Sequence, residues 1–178
     1  MSASSTAPDP TDNLTSAAPT HRRIARVSRS TKETSIEVEV DLDGTGSTEI
    51  STGLPFFDHM LNQLGKHSGI DVRVHAIGDL EVDAHHTVED VGIALGEVLG
   101  EALGDKTGVR RFASIALPLD EALVDVALDL SGRPFLAYTI EFPPDTAGLG
   151  SPPFDPQLAK SSGAPSPLPP LSPCTSGW

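Results

Sequence analysis

The chain has one cysteine, Cys174, among 178 residues, so no intrachain disulfide can staple its core, and a reducing, cytoplasmic setting is expected. Tryptophan and tyrosine occur once each, which leaves the core to aliphatic side chains. Basic residues are scarce: 12 Lys and Arg face 25 Asp and Glu, for a net charge of −13 and a pI near 4.6. That balance argues against nucleic acid or an anionic membrane surface as a partner. No apolar run approaches the roughly 20 residues that a membrane-spanning helix needs. The first twenty residues are rich in Ser, Thr, Ala, Pro and Asp and lack both a basic start and an apolar centre. They are expected to be a disordered tail (1–20) rather than a secretory signal.

What is present alternates between strand and helix patterns, so the expected class is α+β. Residues Ile24 to Val27 and Ser35 to Leu42 read as strands, the second with Ile36, Val38, Val40 and Leu42 on one face and Glu37, Glu39 and Asp41 on the other. Asp43-Gly44-Thr45-Gly46 turns the chain into a short strand at Thr48 to Ser51. A helix follows, with Pro55 in its first turn, Phe56, Phe57, Met60, Leu61 and Leu64 as its apolar face, and Gly69 as its end. Ile70, Val72, Val74 and Ala76 alternate as another strand. A long helix runs from His85 to Leu103, with Val88, Val91, Leu95, Val98, Leu99, Ala102 and Leu103 as its buried stripe. Strands are expected again at Phe112 to Leu117, Leu123 to Leu130 and Phe135 to Glu141. The stretch Val38 to Gly44 is echoed by Val124 to Gly132, each a strand running into a glycine turn.

The string His85-His86-Thr87-Val88-Glu89-Asp90 puts three metal-capable side chains at a helix start. His85 and Glu89, four residues apart, project from one face and can reach a single ion, whereas His86 points about 100° away. Such a pair suits two ions, or one ion completed by ligands from elsewhere. Imidazole and carboxylate without thiolate favour Mn, Fe, Co or Zn. The plain alternative is a solvated helix start, with Glu89 and Asp90 complementing the helix dipole. A second histidine, His59, lies just inside the earlier helix beside Asp58, a carboxylate able to orient its ring.

Phe56-Phe57-Asp58-His59-Met60-Leu61, then Ala84 to Asp90, then Gly104-Asp105-Lys106-Thr107-Gly108-Val109-Arg110-Arg111-Phe112 and Asp129 to Phe135 together resemble imidazoleglycerol-phosphate dehydratase of histidine biosynthesis. The resemblance runs from about Arg22 to about Ala159. It implies a tandem-repeat fold of two β-rich halves with packed helices: a first half at 21–105 that carries the metal-binding helix, and an incomplete second half at 106–159. It also implies a metal-dependent hydro-lyase that dehydrates D-erythro-imidazole glycerol phosphate to imidazole acetol phosphate. The proton lost in that reaction lies beside the imidazole and is only weakly acidic, which is why metal ions at the ring are needed.

Residue by residue, the resemblance makes His59, His85, His86 and Glu89 ligands of Mn2+, with two ions per complete site. Glu33, with Glu89, is a catalytic carboxylate that relays a proton or holds the glycerol hydroxyls. Arg111 and Arg133 match substrate-binding arginines, whose guanidinium forks suit a phosphate. His67 faces the same pocket or serves as a dipole-stabilising helix end. His75 is expected to be structural, and His21 falls in the tail. Relatives of this kind form closed homo-oligomers of roughly two dozen subunits, with sites between subunits.

The chain holds one His-His-x-x-Glu motif where the family pattern has two, and it lacks the Ser/Lys phosphate clamp of that pattern. Three readings follow: an active dehydratase completed by other copies, an inactive fragment of one, or a non-enzymatic metal-binding module. The Pro/Ser-rich stretch 160–178 is expected to be an out-of-frame, disordered tail. Lys160 to Ser166, written AAG AGT TCT GGC GCG CCT TCG and read from its third base, gives Glu-Phe-Trp-Arg-Ala-Phe, a helix-like string of the family type. The same shift turns Leu171 to Trp178, written CTC TCA CCC TGC ACC TCC GGC TGG, into the alternating strand Leu-Thr-Leu-His-Leu-Arg-Leu.

Overall fold

A computed structural model describes residues 22–140, 142, 148–150 and 152–162, so the tail at 1–20, His21 and most of the expected out-of-frame segment lie outside the described residues. The elements are β1 (Ile24–Ser30), β2 (Thr34–Asp41), β3 (Thr48–Ser51), α1 (Pro55–Ser68), β4 (Asp71–Gly78), α2 (His85–Leu103), β5 (Phe112–Leu119), β6 (Ala122–Asp129) and α3 (Leu158–Ser162). The class is α+β. α3 includes Lys160 to Ser162, which the sequence pattern places in the tail.

β1 to β4 form one mixed sheet in the order β1-β2-β4-β3, antiparallel except for the β3–β4 pair. Strand alternation sends Ile36, Val38, Val40, Val72, Val74 and Ala76 to one face, where α2 lies over β1 and β2 and α1 over β3 and β4. The opposite face carries an ion-pair ladder in which Arg26 meets Glu37, and Arg73 bridges Glu39 at 3.1 Å and Glu49 at 2.8 Å. His75 is exposed there, as its place in the alternation requires.

α1 differs from its expected packing. Phe57 and Leu61 are buried, but Met60 and Leu64 are 40% and 46% exposed and Gly65 takes the core position instead. A Cβ on Gly65 would stand 2.4 Å from the Thr48 methyl, so β3 approaches the helix too closely for any side chain there. Gly69, at φ 73°, ends the helix in the left-handed conformation that glycine adopts without penalty.

The second half begins as a copy of the first. Every residue pair of the β1–β2 hairpin recurs in β5–β6 at an offset of 88, from Ile24↔Asp41 and Phe112↔Asp129 through Ser30↔Ser35 and Pro118↔Leu123. The closing bond recurs as well: Leu42 N donates to Arg23 O at 3.0 Å, and Leu130 N to Arg111 O at 3.0 Å. The face corresponding to buried Val38 and Val40 holds Ile115, Leu117, Val124, Val126 and Leu128, all exposed, because no helix lies over it among the described residues.

The strand expected at Phe135 to Glu141 does not form; 134–140 is unpaired, and Glu141 is outside the described residues. At the same offset this stretch corresponds to β3, whose only partner is β4. The described residues hold no counterpart of β4, so the stretch has no ladder to join. The later segment instead returns to the first half. Phe154 is buried against Phe56 and Phe57, and α3 packs on α2.

Candidate functional site

The N-terminus of α2 gathers three of the four expected metal ligands. His85 starts the helix, its N–H taken by Asp83 Oδ1 at 2.7 Å. Its Nε2 stands 3.6 Å from Glu89 Oε2, the one-face arrangement that i, i+4 spacing dictates. The rings of His85 and His86 are 6.1 Å apart with their planes at 71°, so adjacent histidines diverge around the axis.

His86 turns toward Asp79 at the end of β4, with Nδ1 3.1 Å from Oδ2. The hydrogen bond to Asp79 raises the His86 pKa, opposed by partial burial and reinforced by the charges of Asp79, Asp83 and Glu33. When Nδ1–H donates to Asp79, the neutral ring keeps its Nε2 lone pair for a ligand. This is how carboxylates orient metal-binding imidazoles.

His59 is exposed on α1, and Asp58 does not serve it. Asp58 instead accepts from the Thr52 N–H at 2.9 Å and hydroxyl at 2.6 Å, bracing the turn into the helix. The four expected ligands do not form one cage: among the described residues no three His, Cys, Asp or Glu side chains group as a metal site. The structure joins His85 with Glu89, and His86 with Asp79. A complete site would therefore draw ligands from elsewhere, the option that the 100° divergence leaves open.

Glu33 is exposed in the turn between β1 and β2. His67 is exposed near the end of α1 and bonds Gln63 Oε1 at 2.9 Å within its own helix. Arg111 grips Asp129 with Nε at 2.7 Å and Nη2 at 3.2 Å and lies 4.8 Å over the Phe112 ring, so an incoming phosphate would have to displace Asp129. Arg133 is exposed beyond β6, near enough for its charge to help hold the Asp129 carboxyl below the usual range, after the Arg111 hydrogen bond.

Three polar residues that sequence reasoning missed lie beneath this surface. Asp90, assigned to the helix dipole, is buried and receives Arg29 Nε at 2.8 Å and Thr34 Oγ1 at 2.5 Å. The signal was available: Arg29 falls on the inward register of β1, where a charge needs a partner. An open cavity of 590 Å³ adjoins His85, lined by Gly53, Leu80, Asp83, Pro152 and Leu158 among others.

A family model described as imidazoleglycerol-phosphate dehydratase matches residues 52–160. Among curated relatives, the chain is 54% identical over 138 residues to the imidazoleglycerol-phosphate dehydratase of Rhodopseudomonas palustris, covering 78% of this chain and 68% of the relative. It is 52% identical to that of Microcystis aeruginosa, over 78% of this chain and 64% of the relative. For Corynebacterium efficiens the figures are 57%, 69% and 60%. The chain thus spans roughly two thirds or less of the length of these proteins. Among solved structures it is similar to the imidazoleglycerol-phosphate dehydratase of Staphylococcus aureus, with TM-score 0.68, 29% identity and coverage of 81% of this chain and 78% of that one. The Pyrococcus furiosus protein, solved in complex with (S)-C348, gives TM-score 0.60 and 35% identity over 77% and 70%.

Proposed function

The chain belongs to the imidazoleglycerol-phosphate dehydratase family, and we propose that it carries one half of a metal-dependent lyase site. The reaction is dehydration of D-erythro-imidazole glycerol phosphate to imidazole acetol phosphate in L-histidine biosynthesis, in the cytoplasm. The observation that carries this reading is the pair of histidines at the α2 N-terminus, His85 sharing a face with Glu89 and His86 oriented by Asp79.

His59, His85, His86 and Glu89 are the proposed Mn2+ ligands, a donor set without thiolate that suits such an ion. Bound at the substrate imidazole, the metal would withdraw charge from the ring and ease loss of the neighbouring carbon proton. Glu33 moves that proton or holds the glycerol hydroxyls, and Glu89 adds a carboxylate on the same side. Arg111 and Arg133 hold the phosphate or its adjacent hydroxyls, and His67 borders the substrate. Self-association into a large homo-oligomer is the family pattern, in which ligands from other subunits would complete each site; a chain with one half-site is expected to form aggregates or small species instead.

A specific observation favours inactivity of the isolated polypeptide: among the described residues no helix covers the β5–β6 face, and the sequence given holds one His-His-x-x-Glu motif. Groups that act as a unit fail together when some are missing. Turnover of imidazole glycerol phosphate with added Mn2+ tests this. No dehydration by the pure chain is expected, and a rate near that of a full-length relative would overturn the half-site reading.

A further inference from the structure

The acidic residue that follows the proposed ligand Glu89 points the opposite way, into the protein. Each carboxylate oxygen of Asp90 takes one bond, Oδ1 from Arg29 Nε and Oδ2 from Thr34 Oγ1. A threonine hydroxyl has one proton, so Thr34 has none left to give. In its 3.0 Å contact with Thr31 Oγ1, Thr31 must therefore donate. Thr31 Oγ1 in turn accepts the backbone N–H of Glu33 at 3.2 Å and of Thr34 at 3.0 Å, while Thr31 N donates to Thr34 O at 2.9 Å.

The result is a one-directional chain of hydrogen bonds from the Glu33 backbone through Thr31 and Thr34 to a buried carboxylate on α2. Both hydroxyls give their single proton within it, and Thr31 Oγ1 accepts twice. Asp90 and Thr34 are 8% and 4% exposed, so water does not compete for the inner links. Arg29 balances the Asp90 charge from β1. The chain ends at the one residue of the turn that the site reading uses.

We propose that Asp90 is a positioning residue that, through Thr34 and Thr31, locks the turn presenting Glu33 to the helix bearing His85, His86 and Glu89. The proposal rests on the reading of Glu33 and α2 as one side of a dehydratase site. A proton-relaying carboxylate in an exposed turn is otherwise free to wander, and small displacements cost catalysis and binding heavily.

The test uses the full chain with Thr34→Val, which removes the linking hydroxyl at nearly constant volume, and Thr34→Ser, which restores it. Amide exchange at Glu33 is expected to quicken about tenfold in Thr34→Val, the scale of one lost hydrogen bond, and to recover in Thr34→Ser. Calorimetric affinity for imidazole glycerol phosphate with Mn2+ is expected to fall in Thr34→Val as it falls in Glu33→Gln. The double variant should bind no more weakly than Glu33→Gln alone, a coupling that general destabilisation would not produce. Fully additive losses, or unchanged exchange at Glu33, would overturn the positioning role. If the unaltered chain binds no substrate, the site reading fails by itself and the exchange result still decides the lock.

Discussion

The rings of Phe57 and Phe154 stack with centroids 6.0 Å apart and planes at 16°, and each residue opens a Phe-Asp-x-x-Leu string, the first within the first turn of α1 and the second leading into α3 at its Leu158. Phe154 is 6% exposed and ties the later segment, with α3, to the first half. Phe154→Ala should therefore cost about 3 kcal/mol, the usual penalty for emptying a buried aromatic site. Urea unfolding measures it; a loss below about 1 kcal/mol would mean that the segment is not docked.

Gly78 ends β4 directly beneath Thr87 of α2. A Cβ there would stand 2.0 Å from the Thr87 hydroxyl and 3.3 Å from its Cβ, so Gly78→Ala should destabilise by about 1–3 kcal/mol through overpacking. The Thr87 hydroxyl is itself buried without a partner. Thr87→Val should accordingly be neutral or stabilising by up to about 1 kcal/mol in thermal unfolding, since it removes a desolvated polar atom and keeps the shape.

The β5–β6 hairpin presents Ile115, Leu117, Leu119, Val124, Val126 and Leu128, between 44% and 72% exposed. A two-stranded ribbon with such a face is marginal alone and prone to associate. Light scattering should show aggregates or small species rather than a defined shell. The pair Leu117→Lys and Val126→Lys should reduce scattering while leaving the melting of the first half unchanged. Scattering that persists in the pair would locate the association elsewhere.

Strand alternation in β2 and helical spacing in α1 and α2 were legible because one face of each is buried locally. The strand expected at Phe135 fails for the converse reason: a strand needs a partner, and the described residues offer it none. Met60 and Leu64 fit an apolar stripe by spacing, yet the close approach of Thr48 assigns the core position to Gly65. At the site, the His85–Glu89 face followed from spacing. Asp90 lies past the first turn of α2, where the helix dipole asks little of a carboxylate; the inward Arg29 is what marks it as a buried ion-pair partner.

The Asp90 carboxyl is held below the usual aspartate range: burial pushes it up, but the hydrogen bonds from Thr34 and Arg29 and the charges of Arg29 and His86 outweigh burial. A depressed folded value contributes stability above the unfolded value of about 3.9, and that stability is lost as pH falls through the lower folded value. Asp90→Asn should therefore be less stable than the unaltered chain at pH 7, with the gap closing below about pH 4. Urea titrations at neutral and acid pH measure the gap. A gap independent of pH would contradict the ionised, doubly bonded carboxylate.

The half-site at the α2 N-terminus is tested most directly by metal content. After incubation with Mn2+ and gel filtration, the folded chain should retain less than one ion per polypeptide, because one chain supplies part of the ligand set. His85→Ala should abolish that retention without loss of fold by circular dichroism. Equal Mn2+ in the His85→Ala variant and the unaltered chain would contradict the site.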